Sequence, residues 1–117
     1  QITRELHDSG APIVLGSDAP QFFNVPGFSI HREMRMMVDS GLTPFEVLVT
    51  GTRNAGRYYE DAVPFGTVEE GSLANLILLE ANPIEDVGHV RERAGVMIRG
   101  EWWPEERIQE RLSQIAE

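Results

Sequence analysis

The 117 residues contain no cysteine and no lysine. Without cysteine there is no disulfide framework, no thiolate metal site and no thiol nucleophile. Without lysine there is no amine nucleophile, no Schiff base and no lysine-based metal bridge within this segment. All ten basic residues are arginine, set against nineteen acids, for a net charge of −9 and a pI near 4.7. That balance argues against nucleic acid as a partner, because such binding needs cations that displace counterions from phosphates. Long apolar runs are missing too: "LANLILLEA" is interrupted by Asn75 and closed by Glu80, well short of the roughly 18 to 20 residues that span a bilayer. The reading is of a soluble protein without membrane contact, with the cytoplasm as the expected compartment.

The local patterns that are present predict a mixture of helices and strands. Ile2 to Asp8 has helical spacing and can end at Gly10. "PIVLG", residues 12–16, is short and apolar throughout, which predicts a strand buried on both faces, as in a helix-covered parallel sheet. A loop rich in proline and glycine follows to Gly27, carrying Phe22, Phe23 and Asn24. Ser29 is a plausible N-cap for a helix to about Ser40, with Ile30, Met34, Met37 and Val38 on its apolar face. Thr43, Pro44 and Glu46 spell a capping box with proline at the first helical position, starting a second helix. A short turn follows over "RNAGRYYE". Beyond Glu60 the pattern predicts an extended piece, a strand at about 74–79, and two strands joined by an Arg99-Gly100 turn. Pro104 opens a last helix with Ile108, Leu112 and Ile115 on a narrow stripe.

Asp18 stands directly after the predicted strand, at the sheet edge where α/β folds place their sites. A carboxylate there suits either a metal ligand or a general base toward water. Capping of the Ala19-Pro20 turn is the structural alternative. His7, His31 and His89 are too far apart for a local H-x-H or H-E-x-x-H pair. His31 sits in the first turn of the helix returning from the Asp18 loop and can face the same cleft; a solvated helix residue is its alternative. His7 and His89 read as surface residues. The pairs Glu69-Glu70 and Glu105-Glu106 read as a solvated turn and a helix N-terminus, and Trp102-Trp103 as cover for a neighbouring sheet or helix. There is no phosphate-binding glycine loop and no G-x-S-x-G elbow.

Taken together, "GSDAP", "EMRMMVDSGLTPFEVLVTGTRNAGRYY", "FGTVEEGSLANLILLEANPIEDV" and "AGVMIRGEWW" resemble the C-terminal part of an amidohydrolase-superfamily hydrolase, the imidazolonepropionase and prolidase-like branch. The resemblance covers nearly the whole chain. It implies an α/β fold: a (β/α)8 barrel whose last strand and following helices are residues 1–60, residues 61–103 as the C-terminal part of a composite β-sandwich, and residues 104–117 as a C-terminal helix. It implies one or two divalent metals, usually zinc, in the full-length protein, with Asp18 as metal ligand and as the catalytic carboxylate that moves a proton from water to the leaving amine. Asn24 and His31 are the candidate substrate contacts for a small-molecule substrate with a hydrolysable C–N bond. The family's "G-x-x-A-D" turn reads "GSLAN" here, with Asn75 in place of the aspartate.

The family's H-x-H pair, bridging ligand and two further histidines have no counterpart in these residues, and the chain starts without methionine. One carboxylate cannot hold zinc usefully, since catalytic sites need about three protein ligands. The chain is therefore expected to be a fragment that binds no metal tightly and is inactive alone, although its parent is an enzyme. Two other readings stand beside this one: a truncated, non-enzymatic interaction or scaffold module that dimerises or swaps domains to cover its open edges, and an acidic metal-binding protein.

Overall fold

The computed structural model describes residues 2–59 and 64–115. Helix α1 (Ile2–Asp8) is followed by an irregular stretch, then α2 (Ser29–Asp39), α3 (Pro44–Gly51) and α4 (Arg53–Tyr58). Strand β1 (Leu76–Leu79), a 3-10 helix (Val87–Arg91), β2 (Arg93–Ile98), β3 (Glu101–Pro104) and α5 (Glu105–Ile115) complete the order. The strands form an antiparallel sheet in the order β1-β2-β3.

The helical half is set by local chemistry. Helix α2 ends in a Schellman turn: the Leu42 N–H donates to the Met37 carbonyl at 3.2 Å and the Gly41 N–H to Val38 at 2.8 Å, with Gly41 at φ +104°. The capping box at α3 forms as the sequence predicts. The Thr43 hydroxyl accepts from the Glu46 N–H at 3.2 Å, and Glu46 accepts from the Thr43 N–H at 2.7 Å. Glu46 also accepts from Arg4 of α1 at 3.2 Å, so one carboxylate ties two helices. The core is small: Met34, Met37, Leu42 and Val47 pack with Val87 of the 3-10 helix. An ion pair between Arg35 and Asp86, 2.9 Å long, reinforces that junction.

In the sheet, Ile98↔Glu101 closes a hairpin whose two-residue turn has Arg99 at φ +51° and Gly100 at +84°, the left-handed pair that a tight hairpin requires. Asn75 Oδ1 accepts from the Arg99 N–H at 2.8 Å. That contact needs only an acceptor, which explains why asparagine serves where the resemblance calls for aspartate. Arg107 of α5 lies over the Trp103 ring at 3.7 Å, and Arg93 pairs with Glu105 at 2.7 Å.

Three expectations are corrected. Residues 11–19 form no strand ladder; burial alternates along them, with Ile13, Leu15 and Ser17 half-buried and Val14, Gly16 and Asp18 exposed. The segment is extended and covered on one face, because among the described residues no other strand lies beside it. Ser29 does not cap α2. Its hydroxyl accepts from the Val25 N–H at 2.8 Å, since Phe28 already has helical angles and the preceding turn runs straight into the helix. The extended piece expected after Pro64 is turns and bends rather than strand.

Candidate functional site

The approach to Asp18 is held by two contacts from the helices. The Leu15 N–H donates to the Thr50 carbonyl at 3.2 Å, and Asn54 Nδ2 donates to the Ile13 carbonyl at 2.9 Å. Gly51 lets α3 come this close, because a Cβ there would sit 2.9 Å from Leu15 Cδ2. Past Gly16 the backbone turns at Asp18, which has φ +51°, and the following Ala19–Pro20 peptide is cis. Asp tolerates the left-handed region better than most side chains. The result is an exposed carboxylate at the end of a clamped segment, whose Oδ2 accepts from Gln21 Nε2 at 2.5 Å.

Beyond Asp18, an isolated bridge between Gln21 and Asn24 closes a turn, with the Asn24 N–H donating to Gln21 O at 2.9 Å. Phe22 and Phe23 ride at its tip, 94% and 91% exposed, with Val25 and Phe28 also exposed nearby. Asn24 is half-buried, and the hydrogen bond seen is from its backbone.

His31 lies in the first turn of α2, half-buried, and its Nδ1 is enclosed without a partner among the described residues. Burial, then the charges of Arg91 and Arg93, hold its imidazole below the ordinary histidine range. It borders an apolar groove of about 610 Å³ that runs between the helices and the sheet, with Leu15, Met34, Leu48, Val96 and Trp103 on its walls. Neither Asp18 nor Asn24 lines that groove. Asp18, Gln21 and Asn24 thus share one loop, while His31 borders a groove that Leu15 and Gly27, at the two ends of that loop, also line. Among the described residues no group of three or more His, Asp or Glu side chains converges to hold a metal.

Two residues of the Asp18 region carry no clear sequence signal. Asn54 reads locally as a residue that weakens a helix; its role depends on a carbonyl 41 positions away. Gln21 reads as a loop residue, though its spacing of three from Asp18 fits a turn contact.

The amidohydrolase family's sequence profile matches residues 1–103. Ochratoxinase of Aspergillus niger is 33% identical over 90 residues, which is 75% of this chain and 18% of that protein. The crystal structure of A. niger ochratoxinase superposes with a TM-score of 0.75 at 28% identity, covering 87% of this chain and 24% of that one. A Xaa-Pro dipeptidase crystallised with methionine in its active site superposes with a TM-score of 0.77 at 25% identity, covering 88% and 25%. The chain therefore spans no more than about a quarter of the length of these relatives. On a profile match over residues 1–103, the chain belongs to the amidohydrolase family.

Proposed function

We propose that this chain is the C-terminal part of a metal-dependent hydrolase, of the prolidase-like branch, that breaks amide, cyclic amide or peptide-like C–N bonds. Water adds to the carbonyl carbon, the C–N bond breaks, and Asp18 takes a proton from that water and delivers it to the departing nitrogen. The observation that carries the reading is the presentation of Asp18. Its carboxylate is exposed, at a left-handed backbone turn, at the end of a segment clamped by Asn54 and Thr50. A reactive group held on a fixed support is what proton transfer requires. The names of the relatives, a Xaa-Pro dipeptidase among them, support a peptide-like bond as substrate.

In this reading residues 1–60 are the last strand and helices of a (β/α)8 barrel, 61–103 the C-terminal share of a composite β-sandwich and 104–117 a terminal helix. Open apolar surface supports it. Leu76, Ile77 and Leu78 of β1 are 39%, 55% and 56% exposed, and the groove that Ile77 lines is left open by the described residues. The radius of gyration, 15.2 Å, exceeds the roughly 13.4 Å of a compact domain of this length. Further polypeptide lying on these faces completes the fold and supplies the ligands of the metal, zinc in this reading. The 117-residue chain alone then turns over no substrate.

The test is hydrolysis of Xaa-Pro dipeptides and N-acyl amino acids by the natural-length protein. Turnover that is lost on dialysis against a chelator and restored by zinc is expected, with none from the chain alone. Hydrolysis by the chain alone overturns the reading, and hydrolysis by neither form overturns it in favour of the non-enzymatic module.

A further inference from the structure

A second cleft, of about 470 Å³, lies between α2 and the 3-10 helix, bounded by His31, Arg32, Arg35 and Asp39 on one side and Gly88 and Arg91 on the other. Its charge runs against that of the whole chain. Nineteen acids outnumber ten arginines overall, yet three guanidiniums and an imidazole meet one carboxylate, Asp39, in this cleft.

Among the described residues, only one of the three guanidiniums has a carboxylate partner: Arg35 pairs with Asp86 at 2.9 Å. That pair fixes the guanidinium against the cleft. Gly88 makes room for it, since a Cβ at that position would come 3.0 Å from both Arg35 Nη2 and Asp86 Oδ1. Arg32 and Arg91 make no side-chain hydrogen bond or ion pair among the described residues. His31 Nδ1 is enclosed and has no partner among the described residues. Arg32, Arg35 and Arg91 are exposed, and like charges gathered in one concavity repel. An arrangement of planar forks around a pocket, short of internal counter-charge, matches the geometry with which arginine grips oxyanions.

We propose that this cleft binds a small oxyanion, a phosphate or carboxylate group, through Arg32, Arg91 and His31, with the Asp86-anchored Arg35 as its fixed wall. The site is distinct from Asp18 and does not depend on the hydrolase reading. Asp39 opposes binding.

The experiment follows the His31 ring resonances of the natural-length protein by NMR while inorganic phosphate, or acetate in a second arm, is added at constant ionic strength with chloride. A saturable shift is expected. It should weaken about tenfold in Arg91→Gln and about a hundredfold in Arg32→Gln with Arg91→Gln, since each charge-assisted contact is worth about a factor of ten or more. Asp39→Asn should tighten binding, and Arg99→Gln, at the distant hairpin tip, should leave it unchanged. Saturation by phosphate alone assigns a phosphate group, and saturation by acetate assigns a carboxylate. No saturable shift with either anion, or equal shifts in the double variant and the wild type, overturns the site. Matching thermal unfolding curves verify that the surface variants are folded.

Discussion

Asn54→Ala tests whether the Asp18 segment is held as described. The variant removes the 2.9 Å hydrogen bond from Nδ2 to the Ile13 carbonyl, a half-buried contact that spans 41 residues. A neutral hydrogen bond contributes about 0.5 to 1.5 kcal/mol, and a carbonyl left partly dry adds to the loss. Alanine is the better helix former within α4, returning about 0.5 kcal/mol. The net global loss is therefore small, about 1 kcal/mol, and the larger effect is local. With one of its two clamps gone, the Leu15 amide, which donates to Thr50, should exchange with solvent about tenfold faster while the amides of α3 keep their protection. Asn54→Asp sharpens the test. It keeps the shape but sets a carboxylate oxygen against the Ile13 carbonyl, so it should destabilise more than alanine does. Hydrogen exchange by NMR with urea unfolding gives both readouts. Aspartate equal to wild type, or unchanged Leu15 exchange in both variants, refutes the clamp.

Other predictions follow from single contacts. The Glu46 carboxyl is held below the ordinary carboxylate range by the Thr43 N–H first, then by the Thr43 hydroxyl, Arg4 and His7, with burial opposing. The unfolded chain then binds the proton more readily, so this contribution is present above the unfolded pKa and is lost as pH falls through the folded one. The stability advantage of wild type over Glu46→Gln, read from urea midpoints between about pH 6 and pH 3, should shrink with acid; a constant gap contradicts the capping role. Thr43→Ala should cost about 1 kcal/mol in the same assay, and an unchanged midpoint counts against the cap. Gly95→Ala places a Cβ 2.6 Å from both the Trp103 carbonyl oxygen and Trp102 Cζ2. Because the backbone oxygen cannot retreat without breaking the β2–β3 pairing, it should cost about 1 to 3 kcal/mol, visible as loss of tryptophan fluorescence change at lower urea. Val47→Ala, at a fully buried core position, should cost about 2 kcal/mol for two methyl groups and the space they leave.

What the sequence reveals here is what neighbouring residues decide among themselves. Thr43, Pro44 and Glu46 form their capping box within four positions, and Arg99-Gly100 forms its hairpin turn between adjacent strands. The stretch from Pro12 to Gly16 is different. A strand needs a partner for its hydrogen bonds, and the pattern of apolar residues cannot show that none lies beside it among the described residues. Ser29 fits the cap pattern but is claimed by the Val25 amide. At the candidate site, Asp18 was legible from its place after an apolar run. Its support by Asn54 was not, because that contact joins distant positions. His31 follows the Asp18 loop, and the groove it borders is lined by Leu15 and Gly27 at the two ends of the loop but not by Asp18 itself.

Asp18 is proposed to move the proton in C–N hydrolysis, and the decisive variant is Asp18→Asn in the natural-length protein. Asparagine keeps the size and the turn but cannot accept a proton from water. The kcat for amide hydrolysis should fall by at least about a hundredfold while the thermal unfolding midpoint stays at the wild-type value. Turnover retained within about threefold in the folded variant contradicts it.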